Sequence, residues 1–127
     1  SHIMHICSTV TGTVDPNLTT FDVFMSAFPA GTLSGAPKPR AIEIIDELEA
    51  ADRGIYGGTV GYFDFSGNMD MAIAIRTAFL RDHQASVQAG AGLVLDSVPA
   101  TEWQETRSKA EASVEAIQIA AQLRSVE

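Results

Sequence analysis

Glu102, Glu105 and Lys109 lie within eight residues near the end of the chain, in a stretch whose pattern predicts a long helix. At about 100° per residue they share a sector of about 60°. Two carboxylates one turn apart offer hard oxygen ligands to a divalent cation. A lysine beside them can meet a substrate carboxylate as a point charge. The same spacing also describes an exposed Glu-to-Lys i,i+4 pair worth roughly a few tenths of a kcal/mol. The sector sits roughly 110° from an apolar stripe of Trp103, Ala110, Val114, Ile117 and Ala121, so it borders the core.

A second candidate is Arg76. Met69 to Leu80 reads as one strand, with Met69, Met71, Ile73, Ile75 and Phe79 on a core face. Its other face carries Asp70, Ala72, Ala74, Arg76 and Ala78. One arginine among alanines leaves room for an anion, since its fork matches a carboxylate. A salt bridge to Asp70 or a neighbouring strand is the competing reading. Further on, the glycines of Gly90-Ala91-Gly92 follow a strand and permit close backbone approach to a ligand, or else form a tight turn or bulge.

Other features carry less. The loop Gly31 to Lys38 lacks the phosphate-loop spacing, because Lys38 stands three residues after Gly35 and Pro39 follows it, which excludes an ATPase. His2 and His5 would point to opposite faces of a strand and make a poor metal pair. His83 falls in a loop. Cys7 has no basic or metal-ligating neighbour and reads as a buried small side chain.

The elements around these residues follow from local pattern. Ile3 to Val14 is rich in β-branched residues and predicts a strand. A short helix runs from Thr19 or Thr20 to Phe28, followed by a Gly/Pro loop over Pro29 to Arg40. Pro37 in the first turn and the i, i+3, i+4, i+7 series of Ala41, Ile44, Ile45 and Leu48 predict the next helix. Thr59–Phe65 and Met69–Leu80 flank Ser66-Gly67-Asn68 as a hairpin, and Ala85–Ala89 forms a third strand. The last helix spans Pro99 to Val126. The fold class is α+β, an antiparallel sheet with packed helices.

Composition bounds the function. The 127 residues suffice for one domain, and 16 acidic against 8 basic residues give a net charge of −8. Such a surface repels phosphate backbones, so nucleic acid and anionic membranes are not expected partners. A single cysteine excludes an internal disulfide and fits a reducing compartment. No apolar run approaches the roughly 20 residues that span a bilayer. The expected location is cytoplasmic.

Taken in order, several segments carry a specific likeness: Ser1 through Ile6, Pro29 through Lys38, Arg40 through Glu49, Tyr56-Gly57-Gly58, Gly61-Tyr62, Ser66 through Asp70, Ile75-Arg76-Thr77, Gln88 through Gly92, Asp96-Ser97 and Glu102 through Thr106 with Lys109. On these the chain resembles the chorismate-utilising enzymes, and within them the anthranilate synthase type. Gly31-Thr32-Leu33-Ser34-Gly35 and Gln88 through Gly92 favour that type over the related aminodeoxychorismate synthases of folate biosynthesis, which remain the alternative. Pro39 departs from the aliphatic residue usual at its position.

The resemblance implies a piece of a longer protein, the C-terminal portion of the chorismate-binding catalytic domain, within a two-sheet fold. It implies Mg²⁺-dependent amination of chorismate with ammonia and loss of pyruvate to give anthranilate, towards tryptophan. The ammonia would come from a glutamine amidotransferase subunit or domain. By resemblance Glu102 and Glu105 serve the metal; Tyr56, Arg76, Gly90, Ala91, Gly92 and Lys109 bind substrate carboxylates. His5 takes part in proton transfer at the ring, and Thr32 stands beside the substrate. The family's tryptophan-sensing region and an upstream glutamate-bearing helix have no counterpart in these residues. The chain alone is therefore expected to be inactive and to self-associate.

Overall fold

The structure, a computed structural model, describes residues 7–123. Helix α1 (Thr20–Ala27) starts at a capping box. Thr19 N donates to the Asp22 carboxylate at 2.8 Å, and Asp22 N donates to Thr19 Oγ1 at 3.2 Å. These bonds satisfy two backbone donors that a helix start leaves orphaned. The aromatic side of α1 packs on strand β1 (Thr59–Phe63): the rings of Phe21 and Phe24 lie 6.2 and 6.1 Å from that of Phe63.

The expected loop over Pro29 to Arg40 contains a one-turn helix, α2 (Gly31–Ser34), closed by Gly35 N donating to Gly31 O at 2.8 Å. Helix α3 (Lys38–Leu48) begins two residues before that loop was to end. Pro37 is its cap, and Pro39 occupies the first turn, where a missing N–H costs nothing. Ala41 and Ile45 turn inward, while Leu48 stays exposed.

Strand β1 pairs antiparallel with β2 (Met69–Ile73), in register from Thr59↔Ile73 to Phe63↔Met69. The Asp64 carboxylate accepts from Ser66 N and Asn68 N, each at 2.8 Å, which fixes the connecting turn and stops β1 at Phe63 instead of Phe65. Met69, Met71 and Ile73 are half-buried and Asp70 and Ala72 exposed, as the alternation predicts.

The long strand predicted to Leu80 ends at Ile73. Ala74 N donates to Gly58 O at 2.9 Å, and Gly57 N donates to Ala74 O at 3.0 Å. Ile75 N then turns back to Ile73 O, and Arg76 adopts φ +52° in the left-handed region, which breaks any strand. Ile75 and Phe79 are consequently exposed, and Ala74 is the buried apolar residue among those described, 4% accessible. Beyond the break, β3 (Ala78–Arg81) pairs with β4 (Gln84–Val87) around Asp82 and His83, both at positive φ. The third strand thus ends at Val87, two residues short of the predicted Ala89. Two separate two-stranded sheets replace a single sheet.

Helix α4 (Pro99–Gln122) packs beside β4. The remainder of the predicted helix, 124–126, lies outside the described residues. Its half-buried face carries Glu102, Thr106, Lys109, Ala110, Ser113 and Ile117. Trp103 is 64% exposed and Val114 also faces outward, so the half-buried face is turned away from part of the predicted stripe and keeps its Ala110 and Ile117. From that half-buried face Lys109 donates across to the run after β4.

Of the strand predicted over Ile3 to Val14, residues 3–6 lie outside the described residues, and 7–14 form no strand. No described strand stands beside them to complete a ladder, and a lone strand leaves its backbone groups to water. Cys7, expected to be buried, is exposed for the same reason.

Candidate active site

A hollow of about 250 Å³ opens where α2, the turn after α3, the break at Arg76, the run after β4 and helix α4 meet. Thr32, Tyr56, Arg76, Gly90, Ala91, Gly92 and Lys109 all line it. Tyr56 is held by a turn in which its N donates to Arg53 O and Gly58 N to Ile55 O, each at 3.0 Å. The backbone run through Gly90 and Gly92 adopts no positive φ and no turn, so it is an open wall and not the tight turn that was the alternative. Gly90 is needed for closeness: a Cβ there would stand 2.9 Å from Tyr56 Oη.

Lys109 Nζ donates to the Gly90 carbonyl at 3.2 Å and pairs with Glu105 at 2.6 Å. The i,i+4 ion pair read from spacing is therefore present, and it stands at the wall of the hollow. Glu105 opens, with Arg76 and Lys109, onto an adjoining hollow of about 420 Å³. Glu102 is half-buried on the same helix face but lines neither space. His5 lies outside the described residues. Arg76 makes no ion pair with Asp70 or any other described residue. The left-handed break takes it off the strand face that Asp70 occupies.

Among the described residues no group of three His, Cys, Asp or Glu is placed to hold a metal. Glu102 and Glu105 nevertheless offer the oxygen chemistry that Mg²⁺ accepts, since it keeps several waters and takes one or two carboxylates.

Sequence reasoning did not single out Arg53, which also lines the hollow. Its fork holds Glu49 at 2.5 and 2.9 Å, Nη1 donates to Leu33 O at 2.8 Å, and the guanidinium sits 5.6 Å from the centre of the Tyr56 ring. Those bonds hold the Glu49 carboxyl below its ordinary range and raise the Arg53 guanidinium. The signal was the i,i+4 spacing of Glu49 and Arg53 three residues before an aromatic.

Arg53 is committed to Glu49 and Lys109 to Glu105, so Arg76 is the cation on the hollow with no acid paired to it among the described residues. The protein is an α+β chain in which these residues meet at one hollow. It belongs to the chorismate binding enzyme family, whose model matches residues 1–115. It is 60% identical over 120 residues, 94% of its length, to "Anthranilate synthase component 1" of Aquifex aeolicus (strain VF5), and 57% identical over 126 residues, 99% of its length, to that of Arthrobacter globiformis. It spans 24% of the length of each. Among solved structures it matches anthranilate synthase component I from Streptococcus pneumoniae TIGR4 with a TM-score of 0.77 and 51% identity, over 80% of this chain and 23% of that one. No helix among the described residues is long and apolar enough to cross a membrane.

Proposed function

We propose that the chain is the C-terminal portion of the chorismate-binding catalytic domain of an anthranilate synthase large subunit. The whole protein would convert chorismate and ammonia to anthranilate and pyruvate in tryptophan biosynthesis. A glutamine amidotransferase subunit or domain would supply the ammonia. The observation that carries this reading is the convergence of Tyr56, Arg76, Lys109 and the Gly90–Gly92 backbone on one hollow.

Arg76 would grip one carboxylate bidentately and Tyr56 would lend it a hydroxyl donor. Lys109, anchored at Gly90, would meet the other carboxylate beside the backbone amides of the glycine run. Thr32 borders the hollow and would hold the ring in place. His5 would move the proton at the ring. Glu102 and Glu105 would hold Mg²⁺, which supplies Lewis-acid polarisation of a carboxylate.

The test is the full-length parent protein with chorismate, an ammonium salt and magnesium, followed by anthranilate fluorescence. Steady anthranilate formation supports the assignment. Formation of aminodeoxychorismate instead would move the protein to the folate-directed branch, and no turnover of chorismate would overturn both.

A further inference from the structure

Arg53 reaches the hollow from a position that three separate groups fix. Nε and Nη2 bind the Glu49 carboxylate at the end of α3, Nη1 binds the Leu33 carbonyl beside Thr32, and the guanidinium carbon lies over the Tyr56 ring, 5.6 Å from its centre. Its side chain is 26% exposed, half that of the surface arginine Arg40 at 56%. With its fork occupied, Arg53 presents little to a substrate. What it joins are the two pieces of chain that deliver Thr32 and Tyr56 to the hollow.

The Tyr56 phenol has little latitude. Its oxygen lies close enough to Gly90 that one added carbon would crowd it at 2.9 Å, so ring placement sets the width between Tyr56 and the glycine wall. Glu49 secures the guanidinium, the guanidinium secures the ring, and the same group stops α2 from drifting. We propose that Arg53 is a positioning residue, acting through Tyr56 and the Thr32–Leu33 turn to set the geometry of the dianion pocket. This rests on the chorismate reading above. A lysine keeps the charge but offers a point of donors and no flat face, so it cannot make all three contacts.

The experiment uses the full-length protein with ammonium as nitrogen source. Arg53→Lys should raise the KM for chorismate about tenfold, the scale expected when a binding group is misplaced by a fraction of an ångström. The KM for ammonium should hold. In a Tyr56→Ala background the same substitution should raise KM by clearly less than it does alone, because one of the two groups it acts through is gone. An unchanged KM, or an equal effect in both backgrounds, overturns the proposal. Should Arg53→Lys not fold, Glu49→Gln loosens the clamp while keeping volume, and should raise KM about threefold; no rise counts against Arg53. If the unsubstituted protein neither binds nor turns over chorismate, the underlying reading fails and takes this inference with it. Normal turnover without an Arg53 effect sinks the inference alone.

Discussion

Lys109 Nζ stands 3.2 Å from the carbonyl oxygen of Gly90, a bond spanning 19 residues that ties helix α4 to the glycine wall of the hollow. The same ammonium pairs with Glu105 at 2.6 Å. One side chain thereby links the helix to that wall and places an ammonium beside the hollow. It also couples the proposed metal residue to the proposed carboxylate binder, because the Glu105 charge is shared between Lys109 and whatever cation binds.

Glu105→Gln separates those roles. It removes a ligand charge while keeping volume, so the full-length enzyme should lose activity at ordinary magnesium levels. Stability should change little: the pair is 34% and 48% exposed, and such pairs contribute about 0–1 kcal/mol. Near wild-type turnover with unchanged magnesium dependence would sink the assignment.

Arg76 faces the hollow with no described acid paired to it, from a left-handed backbone position. Arg76→Lys keeps the charge and loses the fork, so chorismate affinity should fall by about 1–3 kcal/mol, on the scale of a charged hydrogen bond. Unchanged KM and kcat/KM would make it a structural arginine.

Gly90→Ala tests the wall itself. The new methyl would press on Tyr56 Oη, and the phenol would have to swing into the substrate's space. KM for chorismate should rise about tenfold or more, and Gly90→Ala with Tyr56→Phe should recover part of it. An Ala variant that binds chorismate normally would mean the wall is not where the ligand sits.

The Glu49–Arg53 pair has a pH signature. Arg53 hydrogen bonds lower the Glu49 pKa. A carboxyl lowered on folding stabilises above its unfolded value, about 4.3, and loses that contribution as pH falls through the folded value. The gap in Tm between the full-length protein and its Glu49→Gln variant should therefore be widest at near-neutral pH and close below the carboxylate range. A gap independent of pH would show that the pair contributes through packing alone.

Much of this was legible in sequence because its causes are local. Thr19 announces α1, Ser66-Gly67-Asn68 the first hairpin, and Pro99 the start of α4. Arg76 and Gly90–Gly92 stood out by residue type and pattern, Thr32 and Tyr56 only through the family resemblance, and the fold brings them to one hollow. What stayed hidden has tertiary causes. The alternation from Met69 to Phe79 runs on unbroken, yet Gly57 and Gly58 capture Ala74 and the chain turns at Arg76. Asp82-His83 makes a two-residue turn without a glycine to announce it. Trp103 points outward while Ala110 and Ile117 of the same stripe are half-buried, a choice of face made by tertiary packing that helical periodicity does not encode.

The surface area predicts how the 127 residues behave alone. Their accessible surface is 11060 Å², whereas a closed fold of this mass would expose about 6,500 Å². The excess includes large apolar groups such as Phe65, Leu95 and Trp103. Among the described residues each sheet has two strands, an arrangement marginal in water, and each strand leaves one edge without a described partner. Apolar surface and free edges on this scale favour association with another copy of the same chain. We expect the isolated chain to self-associate at micromolar concentrations and to turn over no chorismate, since Glu102 and Glu105 are too few ligands to retain magnesium firmly. Light scattering gives the solution mass, and anthranilate fluorescence with excess ammonium and magnesium gives the activity. A monodisperse monomer would defeat the first expectation. Sustained anthranilate production would defeat the second, and would mean that two carboxylates and this hollow suffice for the chemistry.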